Sequence, residues 1–406
     1  RAVDLNKDGG EELRDALTKW IHVSQGRARI DAAIHLARSL EGIPIVPNDL
    51  DQDKYLFNCI NGTLDLRTGE LRPHNPNDHI TKIAPVEYYP DAACPLWLAF
   101  LDKIMDGDAD LIAFLQQLAG YCLTGDIIEQ IFVIFHGSGS NGKSTYIDTL
   151  AKMMGPYVEP VSPEIFLHGR NGHPTEIADL MGKRMVYASE SDQDVELKTS
   201  VVKKLTGETF LKARFMHQDY FSFERTHKII LATNPKPVIR DTSHAIWRRI
   251  RMVPFAVKIP DEHQDKQLLD KFYHEWSGIL AWMVRGFLAW QEAGGLISPA
   301  AVLAATEDYR DEQNPLGEFL DERCEFMPIL YVPSKDLFEA YEQWCKDNHE
   351  KYMLSRRTFS NRILSLSGVQ RSRLRDKFEQ QRIFKGIGLK GNLNYLSFTE
   401  GLEDEK

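Results

Sequence analysis

The sequence predicts an α/β protein built on a largely parallel sheet, with a mostly helical module ahead of it and a basic module behind. Three observations predict this. Short apolar runs at 130–136 ("QIFVIFH"), 183–188 and 228–232 read as buried strands alternating with helices. Apolar residues recur at helical spacing through Leu13, Leu17, Trp20, Ile21, Ile30, Ile34 and Leu40, and again from Pro95 to Leu123. Residues 351–390 hold eleven Lys/Arg against two acids, in a chain whose net charge is −10.

A length of 406 residues implies two or three domains, and 43% hydrophobic residues can fill their cores. The negative balance gives no global field for nucleic acid, so any such contact falls to local basic patches. Cys59, Cys94, Cys122, Cys324 and Cys345 form no CxxC pair, which argues against zinc and a disulfide framework and for a reducing compartment. No apolar run reaches membrane-spanning length, there is no signal peptide, and a cytoplasmic location is expected. The chain opens on Arg1 rather than Met, as a piece of a longer polypeptide would.

The elements follow in order. Segment 1–125 reads as a mostly helical module, interrupted at 58–72 by alternating residues with Asn-Gly and Thr-Gly turns that predict small hairpins. Asp106-Gly107-Asp108 breaks the later helical stretch in two. Segment 126–295 carries the strands, with a helix over 144–154. "AGGLISP" (293–299) reads as a linker. From 300 to 406 the chain continues with a helical stretch around 334–348 and then the basic residues.

"GSGSNGKST" (137–145) satisfies GxxxxGK[ST] and sits where the pattern has meaning, after an apolar strand and opening a helix. Backbone N–H groups of Gly137, Ser138, Gly139, Ser140, Asn141 and Gly142 would cradle phosphates at the positive end of that helix, continuing through Lys143, Ser144 and Thr145. Lys143 would neutralise the β and γ oxygens of ATP and the Ser144 hydroxyl would ligate Mg²⁺. Glu190, just past the strand in "RMVYASESD", is the acid expected to organise metal and attacking water, with Asp192 and Asp194 as competitors. Asn234 closes "KIILATN" and is expected to sense the γ-phosphate, although "TNPKP" also suits a turn. In "HAIWRRIRMVPF", Arg248 or Arg249 would stabilise transition-state charge, in its own subunit or a neighbour's.

This order and spacing resemble superfamily III helicases. The phrases "ASESD", "KLTGETFLKARF", "ATNPKP" and "AIWRRIRMVPF" look most like the phage and plasmid primase-helicase branch, which includes the poxvirus primase-helicase. The resemblance is strong over about 120–260, continues through "NGTLDLRTGEL" and thins after about 300. It implies an AAA+-type ATPase core with the N-terminal module as an oligomerisation collar. It also implies a homo-hexameric ring, an arginine supplied by the adjacent subunit, and 3′→5′ movement on single-stranded DNA. A hairpin built from Thr209 to Phe223 would enter the channel, with Lys212, Arg214 or a protonated His217 meeting phosphate. Two departures stand out: Ser189 occupies a place where relatives often have a second acid, and Met216 one where some have lysine.

"SRRTFSNRIL", capped by Ser355, reads as a helix, and "RIFKGIGL" with "NYLSF" as a basic wing. Together they suggest a winged-helix-like domain contacting DNA through Arg356, Arg357, Arg371, Arg373 and Arg375. Three functions are compatible with these motifs. One is a ring helicase acting on single-stranded and forked DNA in replication of a phage, plasmid or integrated element, with a primase module upstream. Another is a nucleotide-switched DNA-binding or initiator ATPase. The third, a small-molecule kinase, leaves the hairpin and the basic tail unexplained.

Overall fold

The computed structural model describes residues 10–46, 49–168, 175–189, 195–216, 218–350, 353–375, 380–395 and 402–404 of the chain. The helical pattern between Leu13 and Leu40 forms α1 (Gly10–Ser24) and α2 (Arg27–Ala37). Their apolar stripe is not covered. Leu13, Leu17, Trp20, Ile21, Ile30 and Ile34 keep between 41% and 66% of their surface exposed. The predicted hairpins form an antiparallel meander of β1 (Leu56–Cys59), β2 (Gly62–Asp65) and β3 (Glu70–Arg72), closing at Cys59↔Gly62 and Asp65↔Glu70. α3 (Pro95–Ile104) and α4 (Ala109–Cys122) part at the predicted break, where Asp108 caps α4 by accepting from the backbone N–H groups of Asp110 and Leu111 at 3.0 Å.

The central sheet takes its strands from β4 (Phe132–His136), β5 (Val158–Pro160), β6 (Met185–Ser189), β9 (Lys228–Thr233) and β10 (Ile250–Pro254). They lie in the order β10-β4-β9-β6-β5, all parallel. α5 (Lys143–Met154) follows β4, while α6 (Thr199–Gly207) and the hairpin of β7 (Phe210–Ala213) and β8 (Phe221–Glu224) lie between β6 and β9. α7 (His244–Trp247) leads into β10, and α8 (Leu268–Tyr273) and α9 (Trp276–Ala293) follow it. Val133 and Phe135 face a core shared with Trp97, Leu118, Tyr146 and Phe287, whereas Phe132 and Ile134 face a second core with Val202, Leu205 and Ile246. A strand buried on both faces needs apolar residues at every position, which is why "FVIF" reads as a run and not an alternation.

α10 (Ala300–Glu312) precedes a third unit with its own core around Phe319, Tyr341, Trp344 and Phe359. This unit comprises α11 (Pro315–Arg323), β11 (Cys324–Glu325), β12 (Leu330–Pro333), α12 (Ser334–Asp347), α13 (Arg356–Leu364), β13 (Gln370–Arg375), β14 (Gln380–Lys385), β15 (Gly388–Leu389), β16 (Asn394–Tyr395) and β17 (Leu402–Asp404). Ser355 caps α13 as its sequence suggests, accepting from Thr358 N at 3.3 Å. Of the expected wing, β14 and β16 join an antiparallel sheet, β16-β12-β14-β13-β17, while β15 pairs with β11, and residues 396–398 lie outside the described residues.

Packing crosses residues 125 and 300. One core runs from Phe57 to Val302: α4 packs along α9, and Trp97 stacks on Tyr146 at 5.5 Å. Val302 and Tyr309 of α10 are fully buried, one in each core of the central sheet. Among the described residues no helix is long and apolar enough to cross a membrane, and all five cysteines are buried and unpaired.

Candidate nucleotide site and nucleic-acid surfaces

The loop after β4 is shaped by what its glycines exclude. A Cβ on Gly137 would lie 2.1 Å from Asn141 Nδ2 and 2.3 Å from the carbonyl oxygen of Phe255. Gly142, at φ +84°, enters α5 in a left-handed conformation, with Ile104 Cγ2 2.7 Å from where its Cβ would stand. Gly139 and Ser140 are also at positive φ. Asn141 Nδ2 donates to the Phe255 carbonyl at 3.0 Å, tying the loop to the chain beyond β10. Lys143 therefore begins α5 with its side chain folded back under the loop. Its ammonium donates to the Gly137 carbonyl at 2.9 Å, Asn141 Oδ1 at 2.8 Å and Asn234 Oδ1 at 3.0 Å.

These acceptors are all neutral. Lys143 is only 6% exposed and makes no ion pair with a described residue. Burial alone pulls its pKa down to about 8. A buried cation whose described partners are all neutral is poised to bind an anion, and a turn of backbone N–H groups at a helix start is the complementary cradle. The site thus fits an anionic group such as a phosphate. Ser138, Ser140 and Ser144 are exposed on the loop and at the helix start. The Thr145 carbonyl is used within α5, accepting from Thr149 Oγ1 at 2.7 Å.

The strand order brings Asn234 to Lys143, because β9 lies directly beside β4, with Thr233 level with His136. β6 is the next strand out, with Ser189 level with Ala232. Glu190 follows Ser189 in sequence but lies outside the described residues, as do Asp192, Asp194 and His217.

The two arginines separate cleanly. Arg249 is buried, donating to Thr206 Oγ1 at 3.1 Å and to the Ala245 carbonyl. Arg248 is exposed and reaches Gln130 Oε1 at 3.1 Å. Ile250 pairs with Phe132 and Pro254 with His136. Arg248 therefore stands at the N-terminal edge of the sheet and the glycine loop at the other, roughly 13 Å away along the strand. The chain's own Lys143 is out of its reach.

On the hairpin, Lys212 Nζ and Arg214 Cζ each lie 5.1 Å from the Tyr220 ring centroid. Phe210, Met216 and Tyr220 are between 58% and 63% exposed, and Lys54 anchors the base by pairing with Glu224 at 2.6 Å. Tyr220 was not singled out from sequence; its only signal was an aromatic ring close to the hairpin tip. In the last unit Arg356, Arg357 and Arg371 are exposed, and none pairs with a described carboxylate. Arg356 Cζ sits 5.8 Å from the Phe338 ring. Arg373 is half-buried in β13, and Arg375 ends that strand.

Comparison with known proteins agrees with this layout. Residues 2–106 match a family model described as D5 N terminal like, and residues 311–400 one described as Poxvirus D5 protein-like. Between them, residues 135–249 match a family of unknown function. A protein of Acanthamoeba polyphaga mimivirus, provisionally named a helicase, is 26% identical over 84% of this chain and 38% of its own length. A provisionally named helicase of Frog virus 3 is 22% identical, covering 74% and 39%. A provisionally named primase of African swine fever virus is 26% identical, covering 74% and 34%. The chain thus spans less than two fifths of the length of each of these relatives. The apo structure of the NrS-1 C terminal region shares the fold at a TM-score of 0.50 and 13% identity, over 76% of this chain and 78% of that one. D5 models match both ends and helicase- and primase-named viral relatives match along its length, so the chain is similar to the poxvirus D5-like primase-helicases.

Proposed function

We propose that this chain is the ATP-driven motor of a replicative DNA helicase. The observation that carries this reading is Lys143: a buried cation whose acceptors among the described residues are all neutral, one of them Asn234 beside the neighbouring strand. Gly137 to Thr145 bind the triphosphate, Ser144 and Glu190 hold Mg²⁺, and Asn234 senses the γ-phosphate. Bound Mg²⁺ supplies positive charge to the phosphate oxygens. Lys143 neutralises the same oxygens, and Glu190 accepts the proton of the attacking water.

Arg248 completes the site of a neighbouring subunit, since its own loop is out of reach, and Arg249 is a structural residue. A ring follows from this, a hexamer moving 3′→5′ by family resemblance. The uncovered stripe of α1 and α2 suits a collar between subunits. Lys212, Arg214 and His217 grip single-stranded DNA in the channel. Arg356, Arg357, Arg371, Arg373 and Arg375 hold DNA phosphates on a winged-helix-like unit. A primase module upstream, forked DNA as substrate, and replication of a phage, plasmid or viral element in host cytoplasm complete the proposal. The test is steady-state hydrolysis of ATP by wild type and Lys143→Ala. Turnover in wild type and its loss in the variant are expected; equal turnover in both would refute the nucleotide assignment.

A further inference from the structure

The segment after Asn234 is held far more tightly than a turn requires. Residues 234–243 form no helix or strand, yet Pro237 and Ile239 are buried. The fully buried Tyr309 hydroxyl of α10 donates to the Pro237 carbonyl. Lys236 Nζ meets both carboxylate oxygens of Glu312 at 2.6 and 2.7 Å and lies 5.7 Å from the Tyr309 ring. Gln313 Oε1, at the end of the same helix, accepts from Ile239 N at 2.8 Å. From the basic unit, Arg362 of α13 donates to the Arg240 carbonyl at 2.9 Å. The segment is fastened on its other side too. Leu197 N donates to the Val238 carbonyl at 2.8 Å, Val238 N donates to Val195 O at 2.9 Å, and Arg240 pairs with Glu196 at 3.2 Å.

Every one of these contacts falls within seven residues of Asn234. A buried phenol stays satisfied only while its acceptor keeps its place, so the tether to α10 is directional and short. The same backbone carries the amide that holds Lys143 and touches the segment resuming just after the 190–194 acids. We infer that residues 235–241 are a strut through which α10 and the basic unit set Asn234 against the nucleotide, with Tyr309, Lys236 and Glu312 as positioning residues. This rests on the nucleotide reading above. Motion of the basic unit on DNA would reach Asn234 through Arg362 and this strut, without passing through the glycine loop.

The test uses Tyr309→Phe, which removes one hydroxyl and keeps the ring, and Lys236→Met beside its conservative partner Lys236→Arg. Affinity is read by titration with a fluorescent ATP analogue and turnover by steady-state hydrolysis. Tyr309→Phe and Lys236→Met should lower kcat about tenfold or more while affinity stays within about twofold, because the loop and the bonds of Lys143 to Gly137 and Asn141 are untouched. Lys236→Arg should keep most of the turnover. Normal kcat in Tyr309→Phe and Lys236→Met, beside an inactive Lys143→Ala, overturns the strut alone. Equal losses of kcat, affinity and melting temperature overturn it in favour of a merely structural tether. No hydrolysis by wild type overturns the nucleotide reading, and the strut with it.

Discussion

Arg248 and Arg249 are adjacent in sequence, and replacing each with alanine should have opposite consequences. Arg249 is 8% exposed and serves two acceptors, Thr206 Oγ1 and the Ala245 carbonyl, in a space bounded by Gly207. Removing a charged donor from a buried hydroxyl and a part-buried carbonyl costs about 3 kcal/mol. For a unit of this size, that lowers the melting temperature by about 6–12 °C. Arg248 makes one exposed hydrogen bond, to Gln130, so its loss should cost about 0.5 kcal/mol or less. Its effect on chemistry should be large, because an arginine supplied in trans is worth about a thousandfold or more in turnover. The assay pairs thermal unfolding with ATP hydrolysis at protein concentrations that support assembly. Mixing Arg248→Ala with Lys143→Ala should restore part of the activity, since mixed interfaces join an intact loop to an intact arginine. Normal hydrolysis by Arg248→Ala, beside an Arg249→Ala protein that melts like wild type and is inactive, would reverse the two roles.

Two further outcomes are expected. The Lys143 pKa near 8, against an ordinary 10.5, means that the free site loses its charge as pH rises through about 8; bound phosphate restores it. Nucleotide affinity should then be flat below about pH 7.5 and weaken by up to about tenfold per unit above 8. In the free chain this lysine opposes folding below pH 8, and that cost should shrink between about 8 and 10.5, where the unfolded chain binds more protons. Isothermal titration across pH 7–9.5 checks the affinity, and a flat profile would contradict the geometry. A chain ending at residue 299 should fail to fold, because it lacks the buried Val302 and Tyr309, whereas one ending at 314 keeps both. The longer chain should hydrolyse ATP but bind DNA more weakly and with a shallower salt dependence; circular dichroism and salt-titrated binding decide this.

The glycine loop, its strand and the Asn234 strand were legible because their constraints are local: β-branched runs buried on both faces, and a loop whose backbone must turn sharply. The meander, the Asp108 break and the Ser355 cap were legible for the same reason. What sequence could not give was long-range commitment. Arg248 and Arg249 are chemically identical in the string, and only the packing of Thr206 against Arg249 separates them. Packing across 125 and 300 gave no sequence signal either: α4 and α10 carry apolar residues that finish cores begun elsewhere. Lys236 and Glu312 lie 76 positions apart, a distance at which no periodicity signals a pair.

If nucleotide turnover at Lys143 moves a DNA strand, ATP should drive strand release from a fork. Displacement of a labelled strand from a forked duplex, by wild type and Lys143→Ala at equal fork occupancy, tests it most directly. ATP-dependent displacement by wild type and none by the variant is the predicted result. Wild type that hydrolyses ATP and binds the fork but releases no strand would contradict the claim, and would leave a nucleotide-switched DNA-binding protein in its place.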